Sequence, residues 1–274
     1  MNQVPMSLKP QFDQDGYVMC RAMFDTQEMK ALLAYARGDR QLAAEAYVRR
    51  DATGGESRLA LRNDLDDQCP YTAIVRSHRV ARTMGILLGD EIYHYHHKMM
   101  LKEPRVGGAW EWHQDYGYWY ANGCLYPDMA SCLIAVDRAT RENGCLQVLR
   151  GSHRMGRIDH ATTGDQKGAD PVRVGEAMKR HELVYCEMEP GDALFFHGNL
   201  LHSSSRNDSE HPRWSLICCY NTRHNDPYLL NGRHPHYAPR ALGPDDRVRT
   251  LLLHPVDTCV RGTRTRMVKM ALLG

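Results

Sequence analysis

The stretch that most limits how this chain can fold is Trp110-Glu111-Trp112-His113-Gln114-Asp115, followed by Tyr116-Gly117-Tyr118-Trp119. Read as a β-strand, it sends successive side chains to opposite faces, so His113 and Asp115 point the same way. An imidazole beside a carboxylate offers two ligands to a divalent metal. They are also two of the three ligands in the 2-His-1-carboxylate set, which leaves positions on ferrous iron open for oxygen chemistry. A third ligand must then come from a distant part of the chain, which demands long-range strand pairing. H-x-D alone is a short motif that recurs by chance, and a tryptophan-rich strand is as readily core as site.

Composition narrows the field. The chain has 274 residues, 42% hydrophobic and 25% charged, which describes a soluble globular protein with a sizeable core. A single domain over 1–274 is expected, since one β-barrel or sandwich of this size is ordinary. A net charge of +2, without a basic stripe interleaved with aromatics, argues against a nucleic-acid partner. No apolar run reaches membrane-spanning length, and residues 1–20 contain no secretory h-region, so no membrane association is expected. The nine cysteines are odd in number and show no C-x-x-C spacing, which fits reduced thiols in a cytoplasmic location. The adjacent Cys218 and Cys219 read as buried.

Along the chain, residues 12–24 read as an opening strand, with Asp15-Gly16 as a turn. Asp25 and Glu28 form a capping-box pattern before the apolar stripe of Met29, Leu32 and Leu33, and residues 41–47 continue helically. Residues 51–57 look like a loop and 58–67 like a solvated connector, with a substrate-facing role for Arg62 as the sharper alternative. Pro70 suits the first position of a helix that Gly89 ends. From Ile92 the texture becomes strand, with further apolar runs at 132–136, 145–149, 183–188, 193–201 and 214–220 separated by turn residues. Residues 154–180 read as an insertion or lid. The predicted class is therefore mainly β with flanking α-helices, the helices packed outside a sandwich or barrel.

The third ligand candidate is His202; His197, of opposite strand parity, reads as a hydrogen-bonded structural histidine. After a hairpin-like stretch the chain returns through Arg213 into the strand at 214–220. Arg213 can grip a carboxylate through two parallel hydrogen bonds, and Ser204 can add a donor. Alone, such an arginine would be read as a surface salt bridge.

Taken together, His113-Gln114-Asp115, Glu142-Asn143-Gly144 with Gly151-Ser152-His153, the run from Pro190-Gly191-Asp192 to His202, and Arg213 resemble the phytanoyl-CoA dioxygenase (PhyH-like) family of Fe(II)/2-oxoglutarate oxygenases, in its ectoine hydroxylase-like branch. The resemblance covers roughly 90–222. It implies a double-stranded β-helix (jelly-roll) core with Fe(II) on His113, Asp115 and His202. It further implies 2-oxoglutarate as co-substrate, its distal carboxylate on Arg213 helped by Ser204, with Trp119 lining the pocket and Lys98 contacting cofactor or substrate. O2 is then consumed as 2-oxoglutarate is decarboxylated to succinate and a substrate C–H is hydroxylated. Halogenases of this wider group lack the carboxylate, so Asp115 favours hydroxylation.

Arg62, Arg206, Arg223 and His224, with Lys98, are polar candidates near the expected mouth. Their collective sign suggests a small anionic or zwitterionic metabolite: an aminophosphonate such as 2-aminoethylphosphonate, or an amino acid. An acyl-CoA or other lipid-like substrate is an alternative within the same chemistry. A non-catalytic jelly-roll module binding metal or another ligand is the alternative from a different class.

Overall fold

The computed structural model describes residues 8–230, 234–239 and 241–254. Residues 1–7, where the reading against a secretion signal begins, and 255–274, the end of the tail, lie outside the described set.

Helices come first. Helix α1 (Leu8–Asp15) leads into β1 (Tyr17–Cys20), α2 (Thr26–Gly38), α3 (Arg40–Glu45), β2 (Tyr47–Arg50), β3 (Glu56–Arg62) and α4 (Pro70–Arg76). A π-helical turn, His78–Arg82, then joins α5 (Thr83–Leu88). The strand-rich part runs through β4 (Ile92–Lys102), β5 (Trp110–His113), α6 (Asp115–Trp119), β6 (Met129–Ala135) and β7 (Leu146–Leu149). It continues with β8 (His160–Thr163), β9 (Gln166–Ala169), α7 (Pro171–Met178), β10 (Leu183–Cys186), β11 (Ala193–His197), β12 (His202–Ser204) and β13 (Arg213–Thr222). Helix α8 (Asp245–Leu253) follows.

Two antiparallel sheets make the jelly roll: a seven-stranded one ordered β1-β11-β6-β13-β4-β3-β2 and a four-stranded one ordered β10-β7-β12-β5. The period-2 pattern of the large sheet explains its two cores. On β13, Trp214, Leu216, Cys218 and Tyr220 pack with Leu32, Ile74, Leu87 and Val248 on the helix side. Ile217 and Cys219, of the opposite parity, pack with Leu146, Val148 and Phe196 between the sheets. Arg213 shares that inward parity, as do Lys98, Met100 and Lys102 on β4, opposite the outward Met99 and Leu101. Polar residues on the inner faces of both central strands thus open into the space between the sheets.

The capping box of α2 forms as expected, with Asp25 and Glu28 each accepting the other's backbone N–H. Pro70 opens α4, and Gly89 ends α5 in the left-handed conformation at φ 72°. Four expectations are corrected. Phe12 lies on α1, because the segment before Gly16 buries one helical face against the large sheet rather than pairing with it. Residues 56–62 are a strand, since they pair with β4 and bury alternate side chains. Helix α3 stops at Glu45, so Tyr47 is already in β2. The strand from Ala193 ends at His197, and Gly198 carries the chain over to the small sheet. The 154–180 segment is a β8–β9 hairpin followed by α7.

Candidate active site

His113 ends β5 and His202 begins β12; the two residues are direct cross-strand partners, with ring centroids 4.1 Å apart. Asp115 is not on their strand. It starts α6, two residues past His113, and reaches the imidazoles from the turn between strand and helix. The strand reading of H-x-D is corrected on this point, because Gln114 is the helix N-cap and Tyr116 N–H donates to Gly198 O, which draws the chain off the sheet. Asp115 Oδ1 lies 3.8 Å from His113 Nε2 and 3.9 Å from His202 Nε2. Among the described residues these three form the one cluster of metal-ligating side chains whose ligand atoms lie within 4.8 Å of one another.

The surroundings select the ligand atoms. His113 Nδ1 donates to Glu111 O at 2.7 Å and His202 Nδ1 to Leu200 O at 2.9 Å, so both Nε2 lone pairs face the shared space. Ser131 Oγ donates to Asp115 Oδ2 at 2.8 Å, which leaves Oδ1 toward the imidazoles. Burial keeps both imidazoles neutral, His113 further helped by the adjacent His202. Burial opposes ionisation of Asp115, but the Lys98 ammonium, with the hydrogen bond from Ser131, holds its carboxyl well below the usual carboxylate range. Two neutral imidazoles and one carboxylate, all buried and aimed at one point, fit a divalent iron of the facial-triad type.

A cavity of about 440 Å³ opens beside the triad. Ser204 and Arg213 line it on one flank. Arg213 is 3% exposed, its Nε lacks a hydrogen-bond partner, and it has no ion-pair partner among the described residues. Burial lowers its pKa to about 10, which still leaves it charged at neutral pH. A guanidinium buried without a counter-charge costs several kcal/mol. An anion entering the cavity supplies that charge.

Lys98 and Trp119 also line the cavity; Lys98 Nζ is 3.9 Å from Asp115 Oδ1, and Trp119 packs edge-on against Tyr95 and His96. His197 stays outside it, accepting from Asn199 N–H and packing against His153 and Phe12. None of the four substrate candidates Arg62, Arg206, Arg223 and His224 lines the cavity. Arg62 is buried behind the sheet and held by Glu45 at 2.7 Å and Asp39 at 3.6 Å. Arg206 pairs with Asp208 and Arg223 with Glu91, both on the surface, and His224 bridges Asp90 and Asp128. Each is neutralised by a nearby acid, a pairing that residue type alone does not reveal.

The cations that do line the cavity are Lys98, Arg213, Arg49 and Lys167, with Asp165 as an acid beside the last two. Asp165, Gln166 and Lys167 come from the β8–β9 hairpin, which covers one side. Gln166 anchors it to Glu111 N and Ala109 O, and Tyr118 Oη donates to Lys167 O. Sequence reading passed over Arg49, on a short, half-exposed strand, and took the hairpin segment only as part of an insertion or lid because its two strands have four residues each. It also passed over Lys102, although its even spacing from Lys98 on β4 carried the signal.

Gln114 explains the residue between the two ligands. Fully buried, it donates to Gly156 O and Asn199 O at 2.8 Å each and accepts from Ile158 N at 2.7 Å. Gln114→Ala leaves these three backbone groups without their partner and is expected to destabilise the fold by about 2–4 kcal/mol. Thermal denaturation of the metal-free protein should show a melting temperature several degrees lower; an unchanged Tm would contradict this account.

The comparisons with known proteins agree with this geometry. The sequence profile of the phytanoyl-CoA dioxygenase (PhyH) family matches residues 12–215. The chain is 26% identical to L-proline trans-4-hydroxylase of Streptomyces griseoviridis over 238 residues, 81% of this chain and 88% of that protein. It is 30% identical to the ectoine dioxygenase of Sphingopyxis alaskensis over 243 residues, 82% of this chain and 78% of that one. The crystal structure of EctD from S. alaskensis with 2-oxoglutarate and 5-hydroxyectoine superposes with a TM-score of 0.70 at 25% identity, covering 89% of this chain and 90% of that one. With the profile spanning most of its length and a His-Asp-His cluster in place, this chain belongs to the phytanoyl-CoA dioxygenase (PhyH) family and is a 2-oxoglutarate-dependent non-haem iron dioxygenase.

Proposed function

We propose that the chain hydroxylates an unactivated C–H of a small zwitterionic, amino-acid-like metabolite. In this reading His113, Asp115 and His202 hold the iron, and Arg213 with Ser204 holds the distal carboxylate of 2-oxoglutarate. The observation that carries it is the buried Arg213, without a counter-charge among the described residues, opening onto the same cavity as the triad. Iron with 2-oxoglutarate and O2 supplies the oxidising power, releasing succinate and CO2. The protein's part is positional. Arg213 orients the keto acid toward the triad, Trp119 and Tyr118 wall off the reacting end from water, and the β8–β9 hairpin roofs the substrate.

A cavity of about 440 Å³ has to hold co-substrate and substrate together, which favours a compact metabolite over a long acyl chain. Arg49 and Lys167 line the rim with Asp165, whose carboxylate is shared with Arg50, and this mixed charge suits a substrate that carries both a carboxylate and an ammonium. The proline hydroxylase and ectoine dioxygenase relatives are named for molecules of this kind. An aminophosphonate satisfies the same charges, and a methylphosphonate hydroxylase of Gimesia maris is 34% identical over 140 residues, half of this chain. Succinate formation with Fe(II), 2-oxoglutarate and a metabolite panel tests the proposal. The panel should include proline, ectoine, 2-aminoethylphosphonate and a phytanoyl-type CoA thioester. We expect one or more of the first three classes to stimulate turnover; stimulation by CoA thioesters alone would overturn the small-substrate reading.

A further inference from the structure

Arg49 stands on β2, the edge strand of the large sheet, and lines the same cavity as the triad. Alternation along the strand puts it on the face of Tyr47, two residues earlier. Tyr47 pairs with Leu59, and Leu59 with Met100 on β4; these three also line the cavity. Arg49 thus faces inward by the same parity that places the rest of this wall. Its Nη1 donates to the backbone carbonyl of Asp165 at 3.1 Å, which links the edge of the large sheet to the β8–β9 hairpin.

That bond uses little of what a guanidinium offers, since its planar fork carries several N–H donors. The Asp165 carboxylate is turned to Arg50, accepting its backbone N–H at 3.2 Å with the Arg50 guanidinium at 4.0 Å. No carboxylate among the described residues pairs with Arg49. Of the other cavity cations, Arg213 faces the co-substrate in the reading given above, and Lys98 lies 3.9 Å from Asp115. Burial pushes the Tyr47 phenol up, while Arg49 and then Lys98 pull it back, so this hydroxyl sits within the field of both cations. Resting on the proposed small acidic substrate, we infer that Arg49 is a specificity-determining residue: it receives the substrate's acid group, a carboxylate or phosphonate, at the rim and directs the carbon skeleton toward the triad. Strand β2 lies two strands, roughly 10 Å, from β4, where Lys98 stands beside Asp115. An acid group anchored on β2 is kept from the triad, where a second carboxylate would compete with the keto acid. The carbon that reacts is then one other than the carbon bearing the acid. The anchor is also preorganised, because the hairpin that Arg49 grips is itself fixed by Gln166 to Glu111 N and Ala109 O.

The test uses the Fe(II)-loaded full chain with 2-oxoglutarate and three acids: L-proline, ectoine and 2-aminoethylphosphonate. Each is paired with an uncharged-acid counterpart, namely L-prolinamide, the carboxamide of ectoine and dimethyl 2-aminoethylphosphonate. Anaerobic titration calorimetry gives affinities, and succinate formation gives KM and kcat. For an acid that the wild-type protein takes, Arg49→Gln should weaken binding and raise KM about tenfold, the lower part of the range for a hydrogen bond to a charged group, because Arg49 is half-buried. The loss should fall on KM and spare kcat. The uncharged counterpart should bind wild type and Arg49→Gln alike, and so should 2-oxoglutarate. Arg49→Lys keeps the charge without the fork and should lie between the two, and it serves as the second variant if the glutamine protein does not fold. Magnetic resonance of the product should place the new hydroxyl away from the carbon bearing the acid. Equal weakening of acid and counterpart, as a merely loosened hairpin would give, would overturn the inference. So would an unchanged affinity for the acid, hydroxylation at the acid-bearing carbon, or a larger loss of acid selectivity in Lys167→Met than in Arg49→Gln. If the wild-type protein takes none of the three acids, the proposed substrate class falls and the anchor with it; if it takes one and Arg49→Gln leaves it untouched, only the anchor falls.

Discussion

Arg213→Leu is expected to raise the KM for 2-oxoglutarate by about two orders of magnitude while iron stays bound and the fold holds. A charge-assisted, fully buried contact is worth about 2–5 kcal/mol when one partner is removed, and that range brackets the expected loss. Stability should respond differently. Arg213 is buried with an unpartnered Nε and has no counter-ion among the described residues, so an apolar side chain of lesser bulk removes a desolvation cost. The melting temperature of the ligand-free variant should therefore be unchanged or higher. Arg213→Lys keeps a charge but loses the planar fork, and should fall between leucine and wild type. Steady-state kinetics in 2-oxoglutarate, with calorimetry on the ligand-free proteins, separates the two effects. A variant that loses stability but keeps its KM would make Arg213 a structural residue.

The second large effect concerns the metal. His202→Ala is expected to lower 2-oxoglutarate turnover by well over a hundredfold, beyond the 10–100-fold typical of groups that only orient a ligand. Retention of iron after desalting, measured by metal analysis, should fall with it. The His202 ring packs against Phe196 at 4.9 Å as well as against His113, so circular dichroism should accompany the assay to show that the strands still pair. Ser131→Ala, which removes the hydrogen bond to Asp115 Oδ2, should give the milder, orienting-group effect. Wild-type-like turnover by His202→Ala would remove the basis for a three-ligand iron site.

Much of this was legible in the sequence because strand parity is a strong rule. The inward parity of Arg213, set by the alternation along β13, follows from counting by twos through Trp214, Leu216 and Cys218. His202 was picked over His197 by a parity that the two do not share a strand to define, since His197 ends β11 and His202 opens β12 in the other sheet, whereas the geometry of the Asp25–Glu28 cap needs only local chemistry. Asp115 was assigned to the right cluster through the wrong local structure: a strand and a strand-to-helix turn both put a residue two positions on near the same point. The four substrate candidates lie away from the cavity for a physical reason. Arg62, Arg206, Arg223 and His224 were judged on charge; Arg206 pairs locally with Asp208, but the acid partners of the other three are brought to them by the fold, Glu45 to Arg62 from the end of α3, Glu91 to Arg223, and Asp90 and Asp128 to His224 from two separate loops. Conversely, Lys102 looks like an ordinary strand-end lysine until its register with Arg213 is known. Pairings of this kind are tertiary facts, and no local pattern encodes them.

The most direct test is a crystal of the protein loaded anaerobically with Fe(II) and 2-oxoglutarate, with anomalous diffraction recorded at the iron edge. The account predicts a single iron peak bonded to His113 Nε2, His202 Nε2 and Asp115 Oδ1, with the far carboxylate of the keto acid on Arg213 and the Ser204 hydroxyl. An iron peak away from these three side chains, or a keto acid whose far carboxylate sits on a different cation, would contradict it.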